Sequence, residues 1–305
     1  MSLSGKIALV TGASRGIGKG IAVELGAAGA TVYVTGRSPD AALNFPNTTS
    51  LTEVADEITK KGGRGIVVYC DHSKSDDVKQ LFERINKEQN GRLDVLINNA
   101  YAAVQYIGKN VDKKFFEYSD EPEYAWDVVN NVGLRNHYIC SVYAARMMVK
   151  NKSGFICTVS SPGGIKHLFN IPYGVGKSAC DRLAADMAFD LQDHRITSMA
   201  LWPGAVKTEI IEQTILSGHG KTDPAIFEGG ESIYFAGRCL AAIIPRQDSF
   251  NKYTGRIVLT DEIANEHNVI DADGTRPRNQ YYTRQKQFAD MINAVRTADI
   301  KKASI

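Results

Sequence analysis

Lys6-Ile7-Ala8-Leu9-Val10-Thr11-Gly12-Ala13-Ser14-Arg15-Gly16-Ile17-Gly18 is the stretch on which the fold turns. A short β-favouring run over residues 6–11 ends in a turn with glycines at 12, 16 and 18, and a helical period follows over residues 16–29. Glycines there let backbone amides and the positive end of a helix approach a pyrophosphate. The same residues, Gly12-Ala13-Ser14-Arg15-Gly16, also spell the G-x-S-x-G elbow of α/β-hydrolases. That elbow normally follows several strands that place its oxyanion hole, whereas this one follows the first, so a serine hydrolase is the remote alternative.

Working outward, further runs rich in Val and Ile fall at 31–35, 65–70, 93–98, 155–160, 196–201 and 256–259. Segments of helical period separate them at 51–61, 74–88, 121–149 and 173–193, the helix at 74–88 preceded by a capping-type Ser73. Alternating β and α elements with continuously apolar strands predict an α/β chain: a single doubly wound Rossmann-type domain with a seven-stranded parallel sheet. We expect it to span residues 1–260, with a substrate lid over about 205–230. Residues 261–305 form a polar C-terminal extension with a late helix candidate at 280–296. Residues 38–50, with two prolines, are a second irregular stretch.

Composition narrows the function classes. Basic and acidic residues nearly cancel, 36 against 34, so no charge field is available for nucleic acid or an anionic membrane, and the expected partner is a small molecule. No window reaches the roughly 18 to 20 apolar residues of a membrane span. The N-terminal residues run straight into a strand pattern without a basic-then-apolar leader, so a cytoplasmic location is expected. Cys70, Cys140, Cys157, Cys180 and Cys239 are odd in number and widely spaced, as reduced core residues are. The six histidines show no short metal-ligand spacing, so no metal is expected; His167 is taken as a solvated loop residue.

After the second strand comes Thr35-Gly36-Arg37-Ser38, where a site for NAD offers an acidic side chain to the ribose 2′-hydroxyl. Arg37 carries the opposite charge. With Arg15 it offers two guanidiniums to a 2′-phosphate, which points to NADP(H). Farther on, Tyr173-Gly174-Val175-Gly176-Lys177 puts a phenol and an ammonium four residues apart on one helical face, an arrangement in which the cation would stabilise phenolate and bring its pKa toward the working range. The strand end Thr158-Val159-Ser160-Ser161 and a glycine-containing loop precede it and supply a hydroxyl. Together they make a proton-transfer site.

With these motifs, Asn98-Asn99-Ala100 after the fourth strand and Pro203-Gly204 after the sixth, the chain resembles the short-chain dehydrogenases/reductases over about residues 3–260. The resemblance implies NADP(H)-dependent carbonyl reduction or the reverse alcohol oxidation on a small hydrophobic compound, steroid-like or xenobiotic. Tyr173 would be the acid–base, Lys177 would lower its pKa and hold the nicotinamide ribose, and a serine would polarise the substrate oxygen. Spacing to the tyrosine favours Ser160 and the double-serine pattern favours Ser161; we take Ser161. The cofactor would lie against Gly12, Ser14, Arg15, Gly16, Ile17, Gly18, Arg37, Asp71, Asn98 and Ala100, and against Tyr173, Lys177, Pro203, Gly204 and Thr208. Helices at 121–149 and 173–193 commonly pack across dimer interfaces in the family, so a homo-oligomer is expected.

Two departures from that pattern stand out. In Asn130-Asn131-Val132-Gly133-Leu134, Gly133 stands where the family often places a relay asparagine, leaving Asn130, Asn131 or water to bridge Lys177 to solvent. Tyr101 replaces the glycine that commonly follows Asn-Asn-Ala, and we take it as wall packing. The alternative from another function class is a dinucleotide-binding protein with little catalysis.

Overall fold

All seven apolar runs become strands: β1 (Ile7–Val10), β2 (Thr31–Gly36), β3 (Arg64–Tyr69), β4 (Val95–Asn98), β5 (Gly154–Val159), β6 (Ile196–Trp202) and β7 (Ile257–Leu259). The computed structural model describes residues 2–39, 49–217, 223–246, 248–277 and 282–300. Residues 40–48 of the first irregular stretch, 218–222 of the expected lid, and 280–281 of the late helix candidate lie outside the described residues.

The strands form one parallel sheet in the order β3-β2-β1-β4-β5-β6-β7. The order reverses between β1 and β4, and the C-terminal strand ends at that point are where ligands of doubly wound sheets bind. Twelve helices among the described residues connect or flank the strands: α1 (Gly16–Ala27), α2 (Leu51–Lys60), α3 (Ser75–Glu88), α4 (Val104–Asn110), α5 (Pro122–Asn130) and α6 (Asn136–Asn151), then α7 (Ile171–Leu191), α8 (Glu209–Ile211), α9 (Phe235–Ile243), α10 (Ser249–Tyr253), α11 (Thr260–His267) and α12 (Tyr282–Arg296).

Side-chain alternation along the strands divides the core into two layers. Val10, Val34 and Ile97 face one cluster with α1, α2 and α9, whereas Leu9, Tyr33 and Leu96 face another with α3 and α6. Both faces of the sheet are thereby covered, which is why its strands are mostly apolar.

Local capping differs from the sequence expectation at α3. The N-cap position is Lys74, and Ser73 donates from its amide and hydroxyl to Asp71 instead. A true capping box starts α2, where Ser50 and Glu53 bond each other's backbone amides. The helix expected over 121–149 is two helices. Between α5 and α6, Val132 and Gly133 leave helical geometry, Gly133 at φ +152°, and the chain makes a wide turn over residues 131–135.

The polar extension has a structural task. Strand β7 bonds β6 on one side only, and its other edge would expose the backbone of Ile257. Helix α12 covers that edge: buried Asn293 accepts from the Ile257 amide at 2.7 Å and donates to its carbonyl at 2.8 Å. One amide side chain thus replaces an eighth strand at that residue. Ala289 of α12 packs into a cluster with Trp202, Ile257 and Leu259, and with Ala184 on α7.

Candidate active site

Four strand ends meet where the strand order reverses. The loop after β1 is held by Thr11, whose hydroxyl accepts from the amides of Asn99 and Ala100 and donates to the Ile97 carbonyl. Asn99 completes the clamp by donating to the carbonyls of Thr11 and Gly12 at 2.9 and 3.0 Å. Gly12 has φ +66°, and a Cβ on it would lie 2.7 Å from the Ala100 backbone, so the loop closes tightly on the residues after β4. Ile17 leans on the core while Ser14 and Arg15 stay partly exposed at the start of α1. Thr208 lies across Gly16, with its methyl 3.4 Å from where a Cβ would stand.

An anion already tests this cradle. The Glu209 carboxylate accepts from the Gly16 amide at 2.9 Å, at the N-terminus of α1. Negative charge is favoured there by the free amides and the helix dipole, the interaction a pyrophosphate would use. Burial lowers the pKa of the Arg15 guanidinium, and Arg37 beside it adds to that. Asp71 also feels Arg37, and its carboxyl is held below the usual range chiefly by the bonds from Ser73, against burial. Two guanidiniums beside each other have the charge that suits a dianionic group. Pro203 and Gly204 follow β6, with the Gly204 amide donating to fully buried Glu231 at 2.8 Å.

Asn98, expected on the cofactor's adenosine side, ends β4. It is fully buried and its amide donates to Ser141 of α6 at 2.8 Å. Strand alternation turns Asn98 into the α6 layer and leaves Asn99 to hold the glycine loop.

The proton-transfer residues do converge. Ser161 leaves β5 and caps the following turn, its hydroxyl accepting from the Gly163 amide at 3.1 Å and hydrogen-bonding the Tyr173 side chain. Ser160 is buried and committed elsewhere, donating to the Lys177 carbonyl at 3.1 Å and bonding Asp181. Asn170 caps α7 through the Tyr173 amide at 2.9 Å and so orients the helix that carries Tyr173 and Lys177. Lys177 is buried, and its ammonium donates to the Val159 carbonyl at 3.0 Å.

Burial pushes Tyr173 up to about 12, with the Ser161 bond as the opposing influence. The Lys177 ammonium lies 5.9 Å from the Tyr173 ring centre, and burial lowers its own pKa. Near neutrality the phenol therefore carries its proton.

The family decides what such a site belongs to. The family model of the short chain dehydrogenases matches residues 6–216. The chain belongs to the short-chain dehydrogenase family. As a short-chain dehydrogenase it is an oxidoreductase that binds a nicotinamide dinucleotide and acts on a small molecule. It is 45% identical over 287 residues to dehydrogenase/reductase SDR family member 1 of Mus musculus, covering 92% of this chain and 87% of that one. A short-chain dehydrogenase/reductase from Mycobacterium marinum superposes with a TM-score of 0.68 at 28% identity, covering 85% of this chain and 94% of that one. A metagenomic short-chain oxidoreductase in complex with NADP gives 0.64 at 25% identity, with coverages of 85% and 97%. These likenesses make the strand order and the cleft those of a short-chain dehydrogenase.

Beside the family's motif residues stands one that sequence reasoning missed. Asp181, one turn beyond Lys177, is buried; it accepts from the Trp202 indole at 2.9 Å and bonds Ser160. Burial raises its carboxyl from 3.8 to about 7, against the pull of Ser160, Trp202, Arg296 of α12 and Lys177. A carboxyl raised by folding stabilises the fold fully below its unfolded pKa, and that contribution disappears as pH rises through the folded value. Between about pH 4 and 7, wild type should lose stability relative to Asp181→Asn. Urea midpoints of the two proteins across that window measure the difference; a constant difference would show that Asp181 does not titrate there.

Among the candidates for the relay, Asn130 is buried, donates to the Pro172 carbonyl at 3.2 Å, and leaves its own carbonyl oxygen unpaired against Gly176. Asn131 is half-buried at the rim. Among the described residues no group of three or more His, Cys, Asp or Glu side chains is placed to hold a metal.

Proposed function

We propose that this short-chain dehydrogenase uses NADP(H) to reduce a carbonyl on a small hydrophobic compound, steroid-like or xenobiotic, and runs in reverse on the secondary alcohol. The observation that carries the reading is the Ser161–Tyr173 hydrogen bond beside buried Lys177, in a cleft whose glycine loop carries Arg15 next to Arg37. Arg15 and Arg37 would grip the 2′-phosphate, Ser14, Gly16, Ile17 and Gly18 would face the pyrophosphate, and Asp71 the adenine. Ala100, Pro203, Gly204 and Thr208 would border the ribose and nicotinamide side. A bound nicotinamide supplies the hydride in reduction and accepts it in oxidation.

Residues of the chain do the rest. Ser161 would donate to the substrate oxygen and hold it beside the phenol. Tyr173, protonated near neutrality, would give its proton to that oxygen as the carbonyl carbon is reduced. Lys177 keeps positive charge within 5.9 Å of the ring, so the phenolate left behind is less costly. Ile210, Ile211 and Ile215 are half-buried on the described part of the lid and Phe227 is buried, an apolar cover for an apolar substrate.

Exposed Tyr124, Trp126, Tyr138, Val175 and Phe189 on α5, α6 and α7 support a homo-oligomer through those helices. Five free, buried cysteines accord with a reducing, cytoplasmic setting, and no helix among the described residues is long and apolar enough to cross a membrane.

The test is consumption of NADPH by purified protein with a panel of ketones, quinones and keto-steroids. Turnover on hydrophobic ketones is expected. Tight NADPH binding with no turnover on any of them would favour a nucleotide-binding role instead.

A further inference from the structure

Lys177 has no carboxylate in a salt bridge with it among the described residues, although its ammonium is buried. Its partners are the Val159 carbonyl and two aromatic rings: Tyr173 at 5.9 Å and, nearer, Tyr101 at 5.1 Å to the ring centre. Tyr101 meets Tyr173 edge to face, 6.2 Å between centres at 79°. Its hydroxyl is buried without a hydrogen-bond partner. An unpaired buried hydroxyl lowers stability, so the hydroxyl does not explain why this ring stands here.

The ring has room because residue 133 is glycine. A Cβ there would lie 2.6 and 2.8 Å from two carbons of the Tyr101 ring. Residues 101 and 133 come from different connections, one after β4 and one between α5 and α6, yet their volumes complement each other. The turn between α5 and α6 also donates nothing to Lys177: the Gly133 carbonyl is taken by the Cys180 thiol at 3.1 Å, and its amide by Asn136 at 2.7 Å.

We infer that Tyr101 is a positioning residue for Lys177, its ring face holding the ammonium charged and in place beside Tyr173, and that Gly133 is the gap that admits the ring. A ring quadrupole attracts a desolvated cation strongly enough to move its pKa by about one unit. The titratable groups facing Lys177 are Tyr173, Cys180 and Asp181 on its own helix, His137 on α6, and Tyr101 itself. His137 is buried with its pKa lowered to about 3, and Cys180 is pushed up to about 11; neither changes charge near neutrality. Asp181 titrates in that range and is present in every variant compared. The inference rests on the reductase reading for its kinetic arm only.

The test titrates full-length protein labelled with ¹³Cε-lysine, with the Lys177 resonance assigned by its loss in Lys177→Arg. Tyr101→Phe keeps the ring face and should titrate with wild type and be at least as stable. Tyr101→Leu keeps bulk without a π face and should lower the Lys177 midpoint by about one pH unit, with kcat falling about tenfold. Tyr101→Met replaces it if the leucine variant does not fold. Equal midpoints in wild type and the aliphatic variant overturn the inference, as does a Phe variant that shifts with the aliphatic one. Because the midpoint is read without substrate, an inactive protein with the expected shift would refute the reductase reading and leave this inference standing.

Discussion

Tyr173→Phe is expected to lower kcat for ketone reduction by about 10²- to 10⁴-fold while changing NADPH affinity by no more than about twofold. The substitution removes one oxygen and keeps the ring between Phe169 and Tyr101, which contact it edge to face at 5.0 and 6.2 Å. Packing is retained and the proton donor is lost. Steady-state kinetics and a fluorescence titration of NADPH separate the two effects. A variant with more than a tenth of wild-type kcat would move the proton donor elsewhere; a variant that loses both turnover and cofactor would make Tyr173 a binding residue. Ser161→Ala should act in the same direction, since its hydroxyl bonds the phenol, whereas Ser160→Ala removes a bond to the Lys177 carbonyl and should act first on stability.

Asn293→Ala is expected to cost about 2 to 5 kcal/mol, because it leaves the buried amide and carbonyl of Ile257 without partners. In a protein of this size that is a fall in Tm of roughly 3–8 °C. Differential scanning calorimetry of wild type and variant checks it. A shift within about one degree would mean that the β7 edge is satisfied without α12. The loss should extend to activity, because α12 also presents Arg296 toward Asp181 behind Lys177, so a loosened extension would disturb the helix that carries Tyr173 and Lys177.

What was readable in the sequence is what is local. Seven apolar runs announced seven strands because each is continuous over one element, and the observed strand ends fall within about two residues of the expected ones. Tyr173 and Lys177 were legible because four-residue spacing fixes a shared helical face, and α7 places them so. The interruption between α5 and α6 was not, because it arises where Val132 and Gly133 leave helical φ and ψ inside a run whose period continues on both sides. The division of labour between Asn98 and Asn99 was not legible, because a motif does not say which of two successive residues faces which layer; the sheet turns Asn98 inward and Asn99 toward the loop. The choice between Ser160 and Ser161 has the same origin. Asn293 against Ile257 and Tyr101 against Gly133 join residues 36 and 32 positions apart, contacts that no periodicity encodes. The partner of each had no signal in its own neighbourhood.

The proposed preference for a 2′-phosphorylated nicotinamide cofactor is measured most directly by the affinity for NADPH and NADH in wild type and in Arg37→Ala. Wild type should bind NADPH much more tightly than NADH, and Arg37→Ala should weaken NADPH by about 10- to 150-fold, the worth of charge-assisted bonds to phosphate, while leaving NADH nearly unchanged. Equal affinities in wild type, or an Arg37→Ala protein that keeps its preference, would contradict the account.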